Sequence, residues 1–135
     1  MNATDILFKT NRFNLSEVKS HFINPCCFGE DLANWLASKL TEKGIQVSPL
    51  GQEDWGWHIR AKYGGNSYFL GMSGNADGNR ISANEGEWRI IIQKRRSIWQ
   101  RLTGKGKIST DDAAVHIVEA ILHGDSEFRD IHFEN

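Results

Sequence analysis

The chain predicts an α+β domain: a two-layer sandwich whose antiparallel sheet of about four strands has two main helices packed on one face. Three observations carry this reading. Residues 55–63 alternate with period two, the mark of a half-buried strand. Two more strand-like runs follow across glycine-rich connections, and an amphipathic helical stripe lies on either side of the whole block. Hairpin-linked strands bracketed by helices fit a sheet with its helices on one side. With 135 residues, the chain has the length of one domain with one well-buried core, so 1–135 is read as a single unit.

Residues 1–28 form a poorly defined N-terminal segment. "RFNL" suits a short strand, Ser16, Val18 and Phe22 have helical spacing, and Asn24-Pro25 breaks whatever precedes it. The first clear element is "GEDLANWLASKLTEKG", in which Leu32, Trp35, Leu36 and Leu40 make the apolar stripe of a helix. Glu30 and Asp31 favour its N-terminal dipole, Lys39 and Lys43 lie near its end, and Gly44 closes it. "IQV" is a short strand candidate before the turn residues Ser48-Pro49-Leu50-Gly51.

The next strand runs from Trp55 to Tyr63. Trp55, Trp57, Ile59, Ala61 and Tyr63 share one face; Gly56, His58, Arg60 and Lys62 share the other. "GGNS" reads as a hairpin connection. In "YFLGM" the inward set is Tyr68, Leu70 and Met72, and in "EWRIIIQK" it is Trp88, Ile90 and Ile92. Residues 74–86, rich in Gly and Asn, are long for a hairpin loop. In the second helix, "STDDAAVHIVEAILHG", Ser109 or Thr110 is the expected N-cap and Gly124 the stop. Ala113, Ala114, Ile117, Val118, Ile121 and Leu122 form its apolar face. The tail, 125–135, reads as loosely held, with "IHF" as an edge strand. Trp55, Trp57 and Trp88 are expected to face the helices and Trp35, as core.

Composition narrows the function more by exclusion than by assertion. With 39% hydrophobic and 24% charged residues, the chain is globular rather than disordered. A net charge of -1 gives no global attraction to nucleic acid or acidic membranes, so any electrostatic function must be local. No basic, apolar leader and no membrane-spanning run is visible, and the only cysteines, Cys26 and Cys27, are adjacent, which does not make a disulfide framework. A cytoplasmic protein without membrane association is the expectation.

Chemistry finds few footholds. Cys26 and Cys27 precede a helix with His21 nearby, yet Glu30 and Asp31 oppose a thiolate there, and no third group orients such a pair. Histidine and cysteine spacings match no metal motif, "TGKGKIST" lacks Walker spacing, and the acidic pairs Glu53-Asp54, Glu85 with Glu87 and Asp111-Asp112 suit turns and helix starts. No catalytic residue, metal ligand or cofactor is therefore assigned.

What remains is the face turned away from the helices. It carries His58, Arg60, Lys62, Phe69, Arg89, Ile91 and Gln93, and "KRRSIWQRLTGKGK" continues it with six cations and no acid. His58, Arg60, Lys62, Phe69, Arg89, Arg95, Arg96, Trp99 and Arg101 are the candidate binding residues. Antiparallel sheets often leave one face merely solvated. The functional reading is a small non-catalytic binding domain that recognises a protein partner through this basic face and the 94–107 segment. Nucleic acid or a phosphate ligand on the same surface is the alternative, because interleaved basic and aromatic side chains can track a phosphate backbone. A cysteine- or carboxylate-dependent enzyme is the remaining class. The oligomeric state is left open.

Overall fold

The computed structural model describes residues 3–10, 12–13, 29–75, 86–95, 102–103 and 112–134. Among them are seven strands and two helices: β1 (Ala3–Thr10), α1 (Glu30–Glu42), β2 (Gln46–Val47), β3 (Gly51–Glu53), β4 (Gly56–Tyr63), β5 (Asn66–Asn75), β6 (Gly86–Lys94), α2 (Ala113–His123) and β7 (Arg129–Glu134). All strands join one antiparallel sheet in the order β2-β4-β5-β6-β1-β7, with β3 also paired to β4.

This corrects the expected fold. The sheet is open and has seven strands, not about four beneath a layer of two helices. Six strand positions spaced about 4.8 Å apart span roughly 24 Å between axes, more than two helices of about 10 Å diameter cover. The helices also divide the sheet: α1 packs on β2, β4 and β5, whereas the strand α2 approaches most is β7. Two of the added strands carried weak signals. β1 buries Thr4 and Thr10 at the ends of its inward set, so its pattern looks polar, and β3 is only Gly-Gln-Glu.

One alternating set of sheet positions supplies the core. Ile6 and Phe8 of β1, Trp57, Ile59 and Ala61 of β4, Tyr68, Leu70 and Met72 of β5, and Trp88, Ile90 and Ile92 of β6 are all buried. Register ties them together: Ile59 faces Leu70, Leu70 faces Ile92, and Ile90 faces Ile6. Leu32, Leu36 and Leu40 of α1 and Val115, Val118, Ile121 and Leu122 of α2 belong to the same cluster. Each such side chain withdrawn from water contributes about 1.5–3 kcal/mol before chain entropy is counted. An aromatic group closes the β1 side, where Phe128 meets Phe8 edge-on at 5.4 Å and Trp35 at 4.8 Å.

Local chemistry fixes the connections. Gly64 and Gly65, both at positive φ (59° and 79°), make the two-residue β4–β5 turn, whose handedness matches the strand twist. Asp112, not Ser109 or Thr110, is the N-cap of α2: its carboxylate accepts from the Ala114 N–H at 2.9 Å. Residues 129–134 pair with β1 as the edge strand β7, with a register shift between Leu7 and Lys9 beside Asp130, which adopts φ 54°. No helix among the described residues is long and apolar enough to cross a membrane.

Candidate functional site

The face of the sheet opposite the core can be laid out in rows from the strand register. The first row, across β2, β4, β5 and the end of β6, reads Gln46, Lys62, Ser67 and Arg95; the Arg95 N–H extends the pairing by donating to the Ser67 carbonyl at 2.8 Å. The second reads Ser48, Arg60, Phe69 and Gln93. The third reads Gly51, His58, Gly71, Ile91, Asp5 and Glu134, and a fourth places Arg89 between Ser73 and Leu7.

Edge pairing makes the first two rows possible. β2 and β3 are two parts of one interrupted edge strand: their registers against β4 differ by one residue, with Ser48, Pro49 and Leu50 between them. Proline has no N–H to give a ladder and is tolerated at such an edge. Ser48 bridges the gap, its backbone N–H donating to the Arg60 carbonyl at 2.8 Å and its hydroxyl accepting from the Arg60 N–H at 2.9 Å. The backbone of Arg60 is thereby fixed while its side chain stays exposed.

A cleft of about 730 Å³ opens over these rows, within the range of ligand pockets (roughly 300–1,000 Å³). Arg60, Lys62, Phe69 and Arg95 line it together with Gln46, Ser48, Ser67, Gln93, Tyr68 and Lys94, and among the described residues no acidic one does. The Arg60 guanidinium lies over the Phe69 ring, 5.6 Å from its centroid. From the third row the His58 imidazole stacks on the same ring at 5.1 Å and 23°. Beyond it, the Trp55 indole meets Phe69 edge-on at 6.3 Å.

Two missing side chains create room for these rings. A Cβ on Gly71 would come within 2.5 Å of the Trp55 ring, and one on Gly51 within 2.4 Å of the His58 ring. His58 Nδ1 lies 3.0 Å from a Glu53 carboxylate oxygen, without hydrogen-bond geometry, and becomes an ion-pair partner only when protonated.

Cations on the molecule differ in their surroundings. Arg89 pairs with Asp5 and, at 2.9 Å, with Glu134. Lys94, at the inner side of the cleft, lies 3.2 Å from Asp112, whose other oxygen accepts from the Tyr68 hydroxyl at 2.9 Å. Burial, and then Asp112 itself, holds the Tyr68 phenol above its ordinary pKa, so it stays neutral as a donor. Arg12 pairs with Asp125 and Glu127, Lys9 with Asp130, and Lys39 with Glu42. Among the described residues, no carboxylate lies within ion-pair distance of the Arg60, Lys62 or Arg95 side chains.

Of the nine residues singled out from the sequence, the structure brings Arg60, Lys62, Phe69 and Arg95 to one cleft and His58 beside it. Arg89 is on the same face but tied to carboxylates at its other end. Arg96, Trp99 and Arg101 lie outside the described residues, as do Cys26 and Cys27. Trp55 was expected in the core and is corrected: it sits in the β3–β4 turn, 42% exposed, while Trp57 and Trp88 are buried. The turn is the reason. Glu53 pairs with Gly56, so strand alternation begins at Gly56 and does not extend back to Trp55. Ser48 and Ser67 were not singled out; only the register reveals them as neighbours of the cations. Among the described residues no three His, Cys, Asp or Glu side chains gather as a metal site. Comparison with protein-family models, curated proteins and solved structures finds no match.

Proposed function

We propose that this domain is a non-catalytic binding module that recognises a protein partner through the outer face between Trp55 and the cleft. The observation that carries the reading is the contrast in cations: Arg60, Lys62 and Arg95 share a cleft with no acid among the described residues that line it, whereas Lys9, Arg12, Lys39, Arg89 and Lys94 each face a carboxylate. Unpaired surface cations are ordinary one by one. Three together beside a 42% exposed tryptophan make a combination suited to an acidic, partly apolar partner surface. Nucleic acid is the less suited occupant, because His58 and Arg60 already lie against Phe69, the aromatic ring within the cleft, and leave it little face for a base.

Affinity capture from the native lysate tests this, with nuclease-treated and untreated arms. Wild type is compared with the Arg60→Glu/Lys62→Glu double variant and with Trp55→Ala, each checked for an unchanged melting transition. A discrete protein that survives nuclease and is lost with both variants is the expected result. Retention indifferent to both variants refutes this choice of surface, and material lost on nuclease treatment transfers the surface to nucleic acid.

A further inference from the structure

The first row of the outer face has a chemistry more specific than positive charge. Lys62 and Arg95 stand on either side of Ser67 in the register, each about 4.8 Å away across a strand. Arg60 enters from the adjacent row, two residues along β4, with its guanidinium laid on Phe69. A hydroxyl flanked by two cations and overlooked by a third offers donors from several directions. Among the described residues no carboxylate lines the cleft to compete for them.

We propose that the Lys62–Ser67–Arg95 corner, with Arg60, is a phosphate-group site, and that the group it takes is carried by a phosphorylated side chain of the protein partner. The inference rests on the partner reading above and deepens it. Phosphate suits the corner better than carboxylate for two reasons. It is close to a dianion at neutral pH and so matches clustered cations. It is also tetrahedral, and accepts from Ser67, the two flanking cations and the Arg60 fork at different angles, whereas a planar carboxylate is satisfied by a single arginine.

The test is an amide-resolved NMR titration of the full chain with four probes: inorganic phosphate, a short phosphoserine peptide, the same peptide unphosphorylated, and a 5′-phosphorylated oligonucleotide. Inorganic phosphate is expected to give saturable shifts centred on Lys62, Ser67 and Arg95. The phosphopeptide should bind more tightly than free phosphate, and the unphosphorylated peptide should be silent. Lys62→Glu and Arg95→Glu should each weaken binding about tenfold or more, equal to roughly 1.4 kcal/mol, while Lys43→Glu on the exposed end of α1 leaves it unchanged. Absence of saturable shifts with phosphate and phosphopeptide overturns the site, even if lysate capture succeeds. Shifts that survive both charge reversals overturn it as well. Tighter binding of the oligonucleotide overturns the phosphoprotein assignment. Intact phosphate binding with no captured protein refutes the partner reading and leaves the phosphate corner standing.

Discussion

Arg89 and Arg60 stand on the same face of the same sheet, yet only Arg89 meets carboxylates. Its direct neighbours across the strands are Ser73 and Leu7, and its acids come from one row over, Asp5 on β1 and Glu134 on β7. Long side chains reach such diagonal neighbours readily. Arg60 is flanked by Ser48 and Phe69, and its diagonal neighbours Gln46, Gly51, Ser67 and Gly71 include no acid. The lesson is that a cation on a sheet becomes structural or available according to what neighbouring strands place within diagonal reach. Its own residue type does not decide this.

The largest effect is expected where a cleft cation is structural. Asp112 holds Lys94 and Tyr68 and caps α2, and its side chain is only 8% exposed. Asp112→Ala should cost roughly 2–4 kcal/mol, combining a lost cap with unsatisfied partners, as read from urea denaturation. A loss under about 1 kcal/mol would show that the Asp112 cap and its contacts to Lys94 and Tyr68 contribute little to the fold.

Next, Arg89→Ala should destabilise by about 1 kcal/mol, and less at high salt, since the pairs are partly exposed. Arg60→Ala and Lys62→Ala should stay within about 0.5 kcal/mol of wild type. Equal costs at the two ends of the face would break the comparison.

The paired cation Arg12 sharpens it through pH. The Glu127 backbone N–H and then Arg12 hold the Asp125 carboxyl below its ordinary value of 3.8. A depressed native pKa gives stability that is present above the unfolded value and lost as pH falls through the native one. Asp125→Asn should therefore flatten the acid limb of the stability profile below about pH 4. Lys62→Ala should leave that limb unchanged; a matching change would mean that Lys62 has a carboxylate partner in solution.

The smallest effect concerns Gly71→Ala. The new methyl meets the far end of the Trp55 ring, which can swing away, so stability should change by less than about 0.5 kcal/mol. Trp55 would lose its seat against Phe69, and tryptophan emission should shift to the red. An unchanged spectrum would show that the indole does not rest on Gly71.

Much of this arrangement is legible in the residues. Period two from Trp57 to Tyr63 and in "YFLGM" and "EWRIIIQK" separates core from outer face, because a strand points successive side chains to opposite sides. The stripe of Leu32, Leu36 and Leu40 marks α1 for the corresponding helical reason. β1 was not legible, since buried Thr4 and Thr10 disguise its inward set, and β3 has no apolar residue to betray it. Trp55 was misplaced by running alternation through a turn, where parity stops applying.

By itself, then, the sequence determined which residues lie on each side of the principal strands and where the helices run. Both follow from local backbone periodicity. Only the tertiary structure decided how many strands share the sheet and which strand lies beside which. From that came the rows placing Lys62 and Arg95 about Ser67, the carboxylates that claim Arg89 and Lys94, and the exposure of Trp55. Cross-strand neighbours are distant in the chain, and no local pattern encodes which of them come together.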